Sequence, residues 1–238
     1  EVSLTIAGKI LLPDVEAAIQ QLYQGVNKLR RADGRNVLTV STVASFAVKW
    51  LVPHLGSFQD AHPDIDVRIA TGLSLTNFAS DGVDVAVRYG SGRWPGCRVD
   101  KLMAEEWFPV CAPKLLSGPG LLSTPADLAG QTLLHISTYP DEWQRWLRMA
   151  GFAEVSPGRE LTFDDNNAAL EAAIAGLGVA LGRPAYVEAD LRAGRLVDPF
   201  KIHLPRNTAF YVVSSLERAN EPAVAAFRDW VLSEVRDT

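Results

Sequence analysis

Apolar residues recur at heptad spacing near the start of the chain. Leu12, Val15, Ile19, Leu22, Val26 and Leu29 follow one another at alternating steps of three and four. That spacing stacks them on one face of a helix and predicts the seam of a coiled coil. The seam covers roughly five turns, about 27 Å at the standard rise. Thr5 is placed to cap the helix start, Pro13 predicts a kink or restart, and Gly34 is the natural stop. A helix packed on its own domain would show the same stripe. A dimerising helix ahead of a ligand-sized domain instead suggests a sensor coupled to a partner.

After Gly34 the period changes. Val37–Ser41, Ile65–Ile69 and Val83–Gly90 read as strands. Between the first two lies a helix predicted to bury Val48, Leu51, Leu55 and Phe58, interrupted by Pro53 and ended at His62-Pro63. The polar turn Ser74-Leu-Thr76-Asn77 predicts a further short helix up to Gly82. Strands alternating with helices at this spacing imply a parallel sheet with right-handed crossovers. Trp107–Cys111 is an extended segment leaving this unit, after which the pattern restarts. Strands are expected at 133–136, 161–163 and 179–181, with helices after Pro125, Asp141, Asn167 and Pro184. Trp143 and Trp146 share one helical stripe and read as core. A strand at 209–213 and a last helix after Pro222 return to the first unit. The expected organisation is therefore a helix at 1–34, a first lobe from 35–112 and 205–238, and a second lobe from 113–204.

Composition narrows the classes. In 238 residues, 47% hydrophobic content supplies a sizeable core, and the net charge of −5 argues against this segment itself gripping nucleic acid. Arg30, Arg31 and Arg35 form only a short basic cluster, which also suits a helix C-terminus. The two cysteines do not make a disulfide framework. There is no apolar run of spanning length and no signal-peptide pattern, and the first residue, Glu1, reads as the start of a processed or excised chain.

Ligands of open α/β sheets bind beyond the carboxyl ends of strands. Three such ends are polar here: Ser41-Thr42 with Ser45, Ser74 with Thr76-Asn77, and Asp164 to Asn167. The first and third open onto helix starts, where free backbone N–H groups favour an anion. Plain N-capping explains each residue alone; the three clusters together point to a ligand. Catalysis finds little support. His54, His62, His135 and His203 lack metal-ligand spacing, no nucleophile elbow or phosphate-cradling Gly-rich loop is present, and Ala175-Gly-Leu-Gly178 is too short for a dinucleotide fingerprint. No cofactor is expected.

Several motifs, in order, resemble the LysR-type transcriptional regulators. Leu4-Thr5-Ile6-Ala7-Gly8 and the following Leu-Leu-Pro13 resemble the end of that family's DNA-binding head and the start of its linker helix. Phe46 to Pro53, with Phe58 and His62-Pro63, resembles the first helix of the effector domain. Asp81-Gly-Val-Asp84-Val-Ala-Val-Arg88-Tyr-Gly90 matches the third strand. Ser91 to Gly96, Val110 to Pro113, Asp141-Glu-Trp143 and Leu170 to Val179 are similar to the branch of glycine-cleavage activators and β-lactamase regulators.

The resemblance implies two Rossmann-like lobes joined by two crossover strands, as in periplasmic binding proteins, behind a long linker helix. It implies a cytoplasmic, non-enzymatic regulator. A small effector would bind between the lobes, copies would dimerise through Leu12, Val15, Ile19, Leu22, Val26 and Leu29, dimers would pair into tetramers, and DNA would be reached only through a missing N-terminal head. Carried over, the effector site comprises Ser41, Thr42, Ser45, Asn77, Asp165, Asn166, Asn167, Phe210 and Tyr211. Asn77 stands where the β-lactamase regulators carry an acidic residue, Ala44 where they carry Gly, and Phe210 lacks the phenolic hydroxyl expected there. An amino acid or other small anion therefore fits as well as a cell-wall fragment. A transporter's solute-binding protein would share the lobes but not the heptad helix, and a small transferase would need a catalytic constellation that the sequence lacks.

Overall fold

The computed structural model describes residues 4–32, 36–73, 76–78, 80–117 and 121–236. Helix α1 (Ile6–Ala32) runs through Pro13 without a break, so the expected restart does not occur. Pro13 is the eighth residue, at the start of the third turn, where its missing N–H removes one hydrogen bond from a 27-residue helix. At the start, the Thr5 hydroxyl accepts the Gly8 N–H at 3.1 Å, as an N-cap should. The expected stop at Gly34 lies outside the described residues, as do the side chains of Ile19, Val26 and Leu29. Leu12, Val15 and Leu22 are exposed, together with Ile6 and Ile10.

The chain divides into two compact units, with α1 in the first. The first contains Glu1–Ala47, His54–Met103 and Ala209–Thr238; the second contains Val48–Pro53 and Ala104–Thr208. In the first unit β1 (Asn36–Thr42), β2 (Ile65–Thr71) and β3 (Val85–Gly90) are parallel, with β1 between the other two. The three are parallel as expected, and β8 (Leu204–Ser215), for which the pattern gave no direction, lies antiparallel on β3 and makes the sheet mixed. An element returning late from the other unit can add to the sheet edge in either direction. Val40, Val85 and Val87 are buried on one face, which β-strand alternation assigns to the core.

The helical stretch after β1 has three parts: α2 (Ala44–Phe46), a π-helical turn (Ala47–Leu51) and α3 (Val52–Ala61). Pro53 cannot donate to the carbonyl four residues back and its ring crowds that carbonyl, so the wider turn falls just before it. The π turn also rotates the buried face. Phe46, Trp50, Leu51 and Phe58 are buried, whereas Val48, expected inside, is 55% exposed. Phe58 packs against Phe227 and Trp230 of α7 (Pro222–Glu234), at ring separations of 5.6 and 5.1 Å. The short helix expected up to Gly82 is a single turn among the described residues, with the Ser80 and Asp81 N–H groups both donating to the Asn77 carbonyl.

In the second unit β7 (Val179–Gly182) pairs antiparallel with β4 (Cys97–Val110) and parallel with β5 (Thr132–Ile136), and β6 (Arg159–Phe163) pairs parallel with β5 on its other side. Strands β4 and β8 each run from one unit into the other. Gly178 lies so close to β5 that a β-carbon would collide with the Thr132 carbonyl oxygen. The helices are α4 (Glu142–Met149), α5 (Asn166–Ile174) and α6 (Pro184–Arg192). Trp143 and Trp146 of α4 are core residues as expected. Their indole N–H groups donate to the carbonyls of Leu134 and Ile202, both at 3.0 Å, and the rings pack with Cys111, Leu133 and Val179.

Candidate functional site

Strand alternation sorts the residues of the first polar cluster. Ser41 pairs with Ala86, and Arg88, two residues further along β3, faces the same side. Arg88 pairs in turn with Tyr211 of β8. Ser41, Arg88 and Tyr211 therefore share one sheet face. Thr42 and Phe210 take the other.

On the first face the Arg88 Nη2 group donates to the Ser41 hydroxyl and to the Thr76 hydroxyl, each at 2.7 Å. Arg88 is buried, 7% exposed, and its Nε has no hydrogen-bond partner among the described residues. Burial lowers its pKa, an effect opposed by the charge of Asp81. That carboxylate is occupied nearby, accepting the Asn77 N–H and the Ser80 hydroxyl, both at 2.8 Å. A guanidinium taken out of water is costly unless its donors and charge are met. Here two neutral hydroxyls and, at 3.5 Å from Nη1, the Val87 carbonyl meet it, with no carboxylate in ion-pair contact among the described residues.

The remaining predicted residues of this unit fall into distinct surroundings. Thr42 is fully buried and its hydroxyl has no partner among the described residues. Ser45 is buried in α2, where Val43 is the N-cap and makes no side-chain capping bond, so Ser41 and Thr42 are not spent as caps. Asn77 is exposed. Phe210 is 1% exposed and packs between Phe46 and Tyr89, at 4.9 and 5.4 Å, as a core residue. Tyr211 meets the edge of Trp94 at 5.4 Å. Gly92, at φ 81°, brings the loop backbone against the Tyr211 ring, where a β-carbon would lie 2.8 Å away.

The third cluster belongs to the second unit. Asp165 caps α5, its carboxylate accepting the N–H groups of Asn167 and Ala168 at 2.8 and 3.3 Å. Capping thus uses one carboxylate oxygen. Asn166 and Asn167 are half-buried, and the side-chain oxygen of Asn167 is buried with no partner among the described residues. A cavity of about 610 Å³ in the same unit is lined by other residues, including His135, Trp143, Arg148 and Glu160. None of the predicted residues borders it.

Two features were missed from the sequence. One is Arg88. The other is a buried charge cluster in the second unit. Arg183, 3% exposed, donates to Glu142 at 2.6 Å and pairs with Glu105 at 2.8 Å. Its guanidinium lies 4.8 Å from the Tyr139 ring centre, and Arg206 lies 3.9 Å from that of Trp107. Burial pushes the Glu142 carboxyl up to about 7 against the opposing pull of Arg183. No group of three or more His, Cys, Asp or Glu that could hold a metal ion occurs among the described residues, and none of their helices is long and apolar enough to cross a membrane.

Residues 31–236 match the LysR substrate binding domain. The glycine cleavage system transcriptional activator of Escherichia coli K12 is 42% identical over 231 residues, which cover 97% of this chain and 75% of that protein. The transcriptional activator AmpR of Providencia stuartii is 36% identical over 237 residues, covering 98% of this chain and 78% of that protein. Among solved structures, the AmpR effector domain of Pseudomonas aeruginosa superposes with a TM-score of 0.70 at 35% identity, over 85% of this chain and 96% of that one. The AmpR effector binding domain of Citrobacter freundii gives 0.71 at 30% identity, over 85% and 100%. These relatives are transcriptional regulators, and their effector domains share the two-lobed fold of periplasmic binding proteins. By the match across residues 31–236 and the identity along almost its whole length, this chain belongs to the LysR-type transcriptional regulators and carries their effector-binding domain.

Proposed function

We propose that this chain is the sensing and self-associating part of a cytoplasmic LysR-type regulator whose effector is a small anion, an amino acid among the candidates. The observation that carries the regulatory reading is the match of residues 31–236 to the effector domain, continued through α1 in the relatives. The anionic character of the effector is supported by the buried Arg88, whose hydrogen-bond partners are neutral: two hydroxyls and the Val87 carbonyl. The site we propose is centred on Ser41, Thr76 and Arg88 of the first unit, with Ser45, Asn77 and Tyr211 near it in sequence or on the same strands.

Effector binding would favour one arrangement of the protein over another. A full switch from 1:99 to 99:1 needs a differential affinity of about 5.5 kcal/mol. The apolar stripe of α1 would associate copies into dimers, dimers would pair into tetramers, and DNA would be held by a helix-turn-helix head joined ahead of α1. Immunoprecipitation of the full-length protein from growing cells tests this reading. Enrichment of discrete promoter regions, with altered transcription there when the gene is deleted, is expected. Recovery of no specific DNA would refute it.

A further inference from the structure

We infer that the cavity of about 610 Å³ in the second unit is a separate small-molecule site, built for an organic ammonium ion with an apolar body. It shares no residue with the proposed effector site and does not rest on the regulatory reading. Its floor follows from strand register. Leu133 pairs with Glu160 and His135 with Thr162, so these four side chains share one face of β5 and β6. Helix α4 covers that face over β5, where Trp143 and Leu147 pack on Leu133. Over β6 it does not, and Glu160 and Thr162 are exposed. The far wall is the chain that returns from α4 to β6. Gly151, at φ 83°, ends α4 in a Schellman turn, its N–H donating to the Arg148 carbonyl at 3.2 Å and that of Phe152 to the Leu147 carbonyl at 2.8 Å. The Val155 N–H then donates to the Phe152 carbonyl at 3.0 Å. The wall is therefore held by its own backbone before any ligand arrives. The volume falls within the range of small-ligand sites, about 300–1,000 Å³.

The polar groups choose the ligand. The His135 Nε2 atom is buried without a hydrogen-bond partner among the described residues, and the Glu160 carboxylate lies 3.6 Å from it. Burial lowers the pKa of His135 against the opposing pull of Glu160, so at neutral pH the imidazole is uncharged and keeps one nitrogen free to accept. A buried polar atom left unpaired is costly, and a ligand donor removes that cost. A primary ammonium has three N–H groups and can give one to Nε2 and another to Glu160. Fixed charge agrees. Among the described residues that border the cavity, the carboxylates of Glu154 and Glu160 outweigh the single guanidinium of Arg148, which sits in the last turn of α4 and suits the helix dipole there. A carboxylate ligand would meet two like charges. A neutral alcohol could satisfy Nε2 but would gain nothing from Glu160 beyond an ordinary hydrogen bond. Trp143, Leu147 and Val155 supply apolar surface for the rest of the molecule.

Three probes with one apolar body separate these cases: 2-phenylethylammonium, 2-phenylethanol and 3-phenylpropionate. Each is titrated at neutral pH into the 238-residue chain and followed by heteronuclear NMR. The ammonium is expected to bind saturably, with a Kd of about 1 mM or lower, and at least about tenfold more tightly than the alcohol or the acid. Amide resonances at residues 135, 155 and 160 should move, while those at 41, 76 and 88 stay in place. Glu160→Gln, a change at an exposed position, should bring the preference for ammonium over alcohol toward unity. Ala153→Trp, also at an exposed position on the wall, fills the cavity and should abolish binding of ammonium and alcohol together. No saturable binding of the ammonium, equal binding of the three probes, shifts centred on residues 41, 76 and 88, or a preference unchanged in Glu160→Gln would overturn the inference. So would undiminished binding to a folded Ala153→Trp. Promoter occupancy by the full-length protein is a separate readout, so failure of the regulatory reading would leave this site standing.

Discussion

Glu142 is a residue whose ionisation this fold disturbs strongly. It opens α4 beside Arg183, yet burial raises its carboxyl from an ordinary 4.5 to about 7. Between these values the folded chain holds a proton that the unfolded chain has lost. The contribution of this group to stability therefore falls as pH rises through that window, by up to about 1.4 kcal/mol per pH unit. Urea midpoints measured at pH 5.5 and 7.5 should show wild type losing stability relative to Glu142→Gln as pH rises. Parallel changes in the two proteins would contradict this. Such residues are hard to find in a sequence. Glu105, Glu142 and Arg183 lie on three different elements, and each alone resembles an ordinary surface charge. Arg88 was hidden for the same reason: its partner Ser41 is 47 residues away, and within Val85–Gly90 it reads only as one polar position in a strand. Asp165 was legible because an N-cap is a local device, bonding within three residues.

Elements were legible where their pattern is local and failed where a neighbour decides. The α1 heptad, the strand at β1 and the Trp143–Trp146 stripe follow from spacing alone. The exposed Val48 did not, because a π turn shifts every later side chain around the helix and is set by Pro53, a residue outside the turn. The antiparallel return of β8 likewise depends on which sheet edge is vacant, and periodicity carries no such information. Helix α1 supports a prediction at this scale. Its Leu22 is 70% exposed and Val15 41% exposed, more apolar surface than a lone helix keeps in water without a partner. Leu22→Glu with Val15→Lys should lower the mass found by light scattering from dimer to monomer, because charge in a heptad seam loses its apolar packing. An unchanged mass would mean that copies associate elsewhere.

At the scale of the whole molecule, a sensor of this family couples a small binding event to transcription, and coupling is a free-energy difference between states, not a matter of distance. The account ties that difference to the effector site proposed around Ser41, Thr76 and Arg88. A ligand with equal affinity for both arrangements would shift neither, however tightly it bound. The most direct measurement replaces Arg88 by Met in the full-length gene on the chromosome. Transcript levels are then compared with wild type and with the deletion across growth media that differ in amino acids and organic acids. The account predicts that the Arg88→Met strain, with normal protein abundance, holds the regulated transcripts at one level in every medium while wild type varies. Transcripts that track wild type from medium to medium would contradict it.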